Sequence, residues 1–355
     1  MSIRRRLLLW LQFAVASAAL ATVVALVDWP AAASVWATAD LRWLAGAWLL
    51  SLAGFLPAAL RWTGLLTAVH LHYPLLAAYR AYLVGVFYGL AMPGVIAGDA
   101  ARIWLCTRDA RAPLTLATTT VVAERALGVA ALLSILALGI GIVGSGAAVG
   151  VPSWLAGVGL LLLGALLALP RCLRWLDGRW TAAAVARRSL PAAIVTRLRA
   201  VIGALRSIGV ADLLLALVLS IAFQLIDIIV VQAIGRALAI DLGLPILLIT
   251  MPLVYLATVL PLSPGGLGVR EGTMALVLAQ SGVSSSAAAL LALTVFLNRV
   301  LVGAVGGLAH LADGSSLANA GGAHPSWAAT EAVAGQRNPP PGGDRGDTGV
   351  RQPGD

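Results

Sequence analysis

The chain has 355 residues, 60% hydrophobic and 11% charged, with a mean hydropathy of +0.94. An ordinary soluble domain carries roughly a quarter of its residues as charges, so this composition excludes one. The net charge of +9 comes from 24 arginines without a lysine; in so apolar a chain it points to loops held in the cytoplasm against anionic headgroups, not to nucleic acid.

Exclusive arginine and abundant alanine suggest GC-rich bacterial coding. Cys106 and Cys172 are too few for a disulfide framework and lack zinc spacing. A spanning helix needs about 20 apolar residues. The first run, 7–27, follows Arg4, Arg5 and Arg6, which puts the amino terminus in the cytoplasm. It outlasts the roughly 7 to 15 residues of a signal-peptide core and reads as a retained helix. Further spans are expected at 41–60, 117–143, 154–169, 213–234 and 287–311, six in all.

Two apolar stretches are interrupted. Residues 82–97 break at Met92-Pro93-Gly94, and 244–279 break at Pro261-Leu262-Ser263-Pro264-Gly265-Gly266-Leu267-Gly268. Proline removes a donor and glycine frees the backbone, so neither stretch is one continuous helix, and inside a bilayer such backbone must be buried or line a cavity. The fold class is therefore all-α: a polytopic membrane bundle of six full spans plus two broken or re-entrant segments, with eight kinked spans as the alternative.

Arginine placement orients it. The segment 170–212 carries eight arginines against two aspartates and belongs in the cytoplasm. Counting spans backward puts Arg102, Arg108 and Arg111 there; counting forward from the amino terminus puts Arg61 there too. Between Arg61 and Arg102 the chain must enter the membrane and return, as a re-entrant hairpin does. The second broken segment then enters from the outer face, the arrangement of transporters whose discontinuous helices meet near the midplane. Residues 197–212, with arginines alternating with Val201, Ile202, Leu205 and Ile208, read as a helix in the headgroup layer. Residues 1–311 thus form the integral membrane domain, and 312–355, rich in Gly and Pro, a disordered cytoplasmic tail.

A charge at mid-membrane costs roughly 2.5–3.5 kcal/mol on insertion scales and asks for a partner or a role. Glu124 and Arg125 are adjacent, point about 100° apart, and cannot simply neutralise each other. Asp227 and Arg299 lie near the middle of their spans and could pair with these or with one another. Asp99 can cap the helix that follows the first break, with Arg102 a turn later. In the second break, glycine-freed amides beside Arg270 and Glu271 suit a phosphate. Arg80, nearer an edge, reads as a snorkelling side chain.

These motifs resemble the transmembrane region of lysylphosphatidylglycerol synthases, a flippase-like family. The most specific piece is the run Pro261, Ser263, Pro264, Gly265, Gly266, Leu267, Gly268, Arg270 and Glu271. Glu124-Arg125 resembles the family's helical pair, and Gly98, Asp99 and Arg102 its Gly-Gly-acid-x-x-Arg element, with Ala97 in place of the first glycine. The resemblance implies a function in moving or handling an amphipathic lipid between leaflets. Family members with a soluble aminoacyl-transferase domain make the aminoacylated lipid; this chain has no room for one, so lysyl transfer is not expected.

Three functions are open: a translocase of an anionic phospholipid or other lipid, an enzyme acting on a lipid-linked sugar, and a membrane partner of a lipid-synthesis enzyme. The sequence has no P-loop, DxD, HExxH or GxSxG, so no cofactor, metal or catalytic residue is assigned and translocation is preferred. The expected headgroup path is a wet pocket formed by Asp99, Arg102, Glu124, Arg125, Asp227, Ser263, Gly265, Gly266, Arg270, Glu271 and Arg299. The expected location is the bacterial cytoplasmic membrane, both termini inside; oligomeric state is left open.

Overall fold

The computed structural model describes residues 27–92, 97–143, 192–259, 266 and 268–312, with isolated residues between 17 and 25 and between 157 and 172. Its regular elements are helices: α1 Trp29–Ala37, α2 Leu41–Ala68, α3 Leu75–Ala91, α4 Ala97–Asp109, α5 Leu114–Val143, α6 Ala192–Ser207, α7 Val210–Ala237, α8 Leu244–Val259, α9 Val269–Gln280 and α10 Ser285–Ala312. The body discussed below is the compact unit Met1–Ala309.

Among the described residues four helices, α2, α5, α7 and α10, are long and apolar enough to cross a membrane. They coincide with the expected spans 41–60, 117–143, 213–234 and 287–311. The expected spans 7–27 and 154–169, most of the basic segment 170–212 and the tail 312–355 lie largely outside the described residues. Packing follows the logic of lipid as solvent: Leu49, Val122, Leu138, Val218 and Leu297 are exposed, while small residues face inward so that helices approach closely. Ala47, Ala58 and Ala59 on α2 and Ala130 and Ala131 on α5 are buried.

Both interrupted stretches are pairs of short helices, α3/α4 and α8/α9. Neither 17, 13, 16 nor 12 residues at 1.5 Å each reaches the roughly 30 Å of a hydrocarbon core. In the first pair, Arg80 near the start of α3 pairs with Asp109 at the end of α4 at 3.0 Å, so the two arms run antiparallel and leave at the end where they entered. Arg80 is thus ion-paired, where the sequence suggested only a snorkelling side chain. The arms touch at Gly85 and Gly98: a Cβ on Gly85 would lie 3.0 Å from the Gly98 carbonyl oxygen, and one on Gly98 would press on the Gly85 carbonyl. Only hydrogen fits there.

The hairpins enter from opposite ends of the bundle. Val69, at the carboxyl end of α2, shares a core with Ala204, Ile208 and Leu213, at the junction of α6 and α7; α3 and α5 also begin at this end. At the other end Asp40, which precedes α2, donates its backbone N–H to Ala237, the last residue of α7, at 3.1 Å. The turn from α7 into α8 lies there, and Asp28 bonds Ser286 of α10 at 3.0 Å. The second hairpin therefore starts where the first does not reach.

Helix lengths repeat as well. α2 to α5 have 28, 17, 13 and 30 residues, and α7 to α10 have 28, 16, 12 and 28. A long–short–short–long unit occurs twice, inverted, although no residue-by-residue repeat is evident in the sequence.

Several sequence readings change. Arg61 and Arg102, which the arginine pattern places among the cytoplasmic flanks, are both buried core residues, 6% and 4% exposed. The charge at Arg61 ends the apolar run in the sequence, yet α2 continues to Ala68, since the buried Glu124 carboxylate and the Ser220 hydroxyl supply what water would have. The expected headgroup-layer helix 197–212 ends at Ser207; Gly209 separates it from α7, whose Asp212 side chain accepts the Gly209 N–H at 2.8 Å.

α10 packs on α3 through Gly303, Gly306 and Gly307, and a Cβ on Gly306 would run into the Leu83 carbonyl. Gly306→Ala should therefore destabilise the detergent-solubilised protein by about 1–3 kcal/mol, the usual range for overpacking, read as a fall in thermal midpoint, whereas Gly46→Ala, with open space around it, should leave the midpoint in place.

Candidate functional site

The charges expected within the membrane gather into two clusters. The first is centred on Glu124, one-third of the way along α5. One carboxylate oxygen receives the Arg61 guanidinium from α2 and the Tyr82 hydroxyl from α3. The other accepts Arg102 Nη1 from α4 at 3.1 Å. Arg61 also donates to Ser220 Oγ on α7 at 2.8 Å. Five helices thus converge on a side chain 4% exposed.

Aromatic rings complete the enclosure. The Arg102 guanidinium lies 4.2 Å from the Tyr82 ring centroid and 5.2 Å from that of Trp62, a contact that partly replaces lost hydration. Trp62 in turn donates its indole N–H to Thr120 Oγ1 at 3.3 Å.

Asp99 links this enclosure to the outside. Its Oδ1 accepts Arg102 Nη2 at 2.7 Å, while Oδ2 takes Arg125 through Nε at 2.8 Å and Nη2 at 2.6 Å. It is a clamp between α4 and α5, beyond the capping that its place in the first turn suggests. The adjacent pair does split as the 100° offset requires: Glu124 points into the bundle, and Arg125 points out, with 63% of its side chain exposed.

The second cluster lies between the second hairpin and the long helices. Asp227 on α7 accepts the Tyr255 hydroxyl of α8. Arg270 and Glu271 open α9; Arg270 Nη2 and Nε reach Glu271 Oε1 at 2.7 and 3.1 Å. The other Glu271 oxygen accepts the Gly268 N–H at 2.8 Å, and Gly268 itself has φ 77°, a conformation natural to glycine. The free amide and guanidinium that suited a phosphate are therefore taken by the chain's own carboxylate. Arg299 on α10 lies within electrostatic reach of Asp227, Arg270 and Glu271, but makes no ion pair within 4.0 Å among the described residues. Of the pairings open to Asp227 and Arg299 in the sequence, the direct one is not formed. Ser263 and Gly265 lie outside the described residues; Gly266, with φ 75°, is buried against Thr258.

α7 joins the clusters, because Ser220 in the first and Asp227 in the second are seven residues apart, two turns or about 10 Å along one face. The charges are exchanged between the halves of the repeat. The first long helix carries Arg61 in one half and Asp227 in the other; the last carries Glu124 in one and Arg299 in the other. The expectation of an open wet pocket changes at the first cluster, where Arg61, Arg102 and Glu124 are closed over one another. A hollow of about 290 Å³ at the α7–α8 turn, lined by Gln232, Arg236, Ala239, Ile240, Asp241 and Leu242, lies apart from both clusters.

Sequence reasoning did not place Arg61, Tyr82, Ser220 or Tyr255 in the site. Arg61 carried a signal: a single charge followed by seven further residues of apolar or small character. The tyrosines carried none, because a lone tyrosine in an apolar run is as often interfacial as buried.

The family model described as lysylphosphatidylglycerol synthase TM region matches residues 9–307, and the chain belongs to that family. Neither a curated protein nor a solved structure matches it.

Removing one partner of a buried charge set leaves the rest uncompensated. Glu124→Gln should cost about 3–5 kcal/mol, seen as loss of the monodisperse peak on size-exclusion chromatography or a large fall in melting temperature. Arg125→Gln, at an exposed side chain, should leave both measurements near wild type.

Proposed function

We propose that this protein moves an anionic amphipathic lipid between membrane leaflets, with the headgroup passing through the two charged clusters while the acyl chains remain in lipid. The observation that carries this reading is the pair of opposed hairpins, each delivering arginine and carboxylate to a bundle interior and connected through α7. Ionisable groups inside a membrane are costly and mark substrate paths, and discontinuous helices meeting from opposite faces are a transporter architecture. Membership of a family named for a lipid synthase's membrane region fits a lipid-handling role.

In this mechanism Arg125 is the receiving arm. It is exposed and held by Asp99 alone among the described residues, so a phosphate that displaces Asp99 exchanges one charge-assisted pair for another. The freed Asp99 retains Arg102, and the headgroup then replaces contacts along Arg102, Arg270 and Arg299. Passage requires the closed first cluster to open, which the Gly85–Gly98 contact permits by letting two backbones slide without side chains between them. The sequence has no P-loop, and movement on this reading is facilitated or ion-coupled.

The end bearing Val69 and the α6–α7 junction is assigned to the cytoplasm because the arginines of 170–212 lead into it; the Asp40 end, with Trp29, Trp36 and Trp43 exposed, is assigned to the outer interface, where tryptophan concentrates. The membrane is the bacterial cytoplasmic membrane with both termini inside. A lipid-synthesis enzyme acting nearby would supply the cargo.

Two outcomes are expected. Proteoliposomes should accelerate transbilayer movement of fluorescent phosphatidylglycerol, and Arg125→Gln should slow it about ten- to a hundredfold, matching the roughly 1.5–3 kcal/mol of a hydrogen bond to a charged group, with phosphatidylcholine movement unchanged; no acceleration by wild type across a panel of anionic lipids would refute translocation. In a cysteine-free background, Arg108→Cys and Arg187→Cys should react with membrane-impermeant maleimide only after the inner face is exposed; labelling of intact cells would reverse the assigned orientation.

A further inference from the structure

The two buried carboxylates central to the clusters are held very differently. Glu124 is surrounded by two guanidiniums and a hydroxyl, and its charge is fully matched in place. Among the described residues, Asp227 receives only the Tyr255 hydroxyl, and every charged group facing it is engaged or set back. From α9, Arg270 is committed to Glu271; from α10, Arg299 faces it across more than ion-pair distance; from α2, Arg61 is two turns away on Ser220; from α5, Glu124 is enclosed by Arg61 and Arg102. A half-buried carboxylate with one neutral donor and no contacting cation has two accessible states, because a proton can replace the missing counter-charge.

Counting charges shows what the proton changes. With Asp227 ionised, the second cluster has two carboxylates and two guanidiniums and is neutral. With Asp227 protonated, Arg270 keeps Glu271 and Arg299 is in surplus, the only state in which this half-site presents a net positive charge to an incoming phosphate.

Resting on the translocase reading and deepening it, we propose that Asp227 is a proton-binding site whose protonation is linked to capture of an anionic phosphate headgroup by Arg299, so that proton and lipid cross together. The step makes no covalent bond to lipid: a proton from water is bound by an Asp227 carboxylate oxygen, the headgroup phosphate pairs with Arg299, and both are released on the opposite side. A monoanionic headgroup and one proton carry no net charge, so movement is insensitive to membrane potential and driven by a pH difference. By linkage, lipid must favour the proton as much as the proton favours lipid.

The test uses the full-length protein in phosphatidylcholine nanodiscs. Infrared difference spectra across a pH titration should show a protonated carboxyl stretch that is lost in Asp227→Asn and retained, shifted, in Asp227→Glu. Adding phosphatidylglycerol should move its midpoint to higher pH, by about one unit for each tenfold tighter binding to the protonated form; equal millimolar inorganic phosphate should move it if the site reads phosphate alone and leave it if the site needs the lipid. In vesicles, acidifying one side should drive labelled phosphatidylglycerol toward the other, at least fivefold faster than without a gradient, and Arg299→Gln should abolish the drive. A carboxyl band that persists in Asp227→Asn, or a midpoint unmoved by phosphatidylglycerol, overturns the proposal, as does transport indifferent to the gradient. If the band titrates and shifts with lipid while no lipid crosses vesicles, the proton–anion site stands and translocation fails.

Discussion

The structure is organised around the cost of one carboxylate in a medium without water. Glu124 is buried where an unpaired charge is far too costly to keep, so α2, α3 and α4 must each bring a specific group to it. That requirement fixes more than the local geometry. Arg61 holds α2 in register with α5; Tyr82 and Arg102 hold both arms of the first hairpin; Ser220 ties in α7. Lipid offers helices no hydrophobic incentive to associate, and this polar knot supplies the directional interaction that apolar packing lacks.

The second half uses the same plan with charges exchanged. A long helix, a hairpin and a second long helix again bring acid, tyrosine and arginine together, but acid and base have traded helices. The result is looser. Arg270 and Glu271 are neighbours on α9 and satisfy each other, so they make no demand on other helices, and Asp227 and Arg299 are left at a distance. One half is therefore rigidly closed and the other retains adjustable charge, although both are built from helices of matching length.

Much of this was legible in the sequence. The two interruptions, their opposed entry and the four long described spans follow from proline, glycine and arginine positions, since lipid leaves few alternatives for backbone hydrogen bonds. The outward turn of Arg125 and inward turn of Glu124 follow from the 100° step alone. What was not legible depends on partners remote in sequence. Arg61 looks like the end of a span until Glu124, 63 residues later, is known to meet it. Asp99 looks like a cap until Arg125 crosses from another helix. Glu271 looks like part of an anion site until its carboxylate is found to fill it, because a side chain can turn back on its own helix start without any mark in the pattern.

That last arrangement sets a threshold. Glu271 is a tethered rival for Arg270 and the Gly268 amide, and a tethered group competes as though present at millimolar concentration or above. Dilute anions dissolved in the aqueous phase lose such a contest. On the proposed translocase reading, a molecule confined to the thin sheet of the bilayer, where its local concentration is far above that of a dilute solute, does not, so the arrangement filters by place of residence before it filters by chemistry.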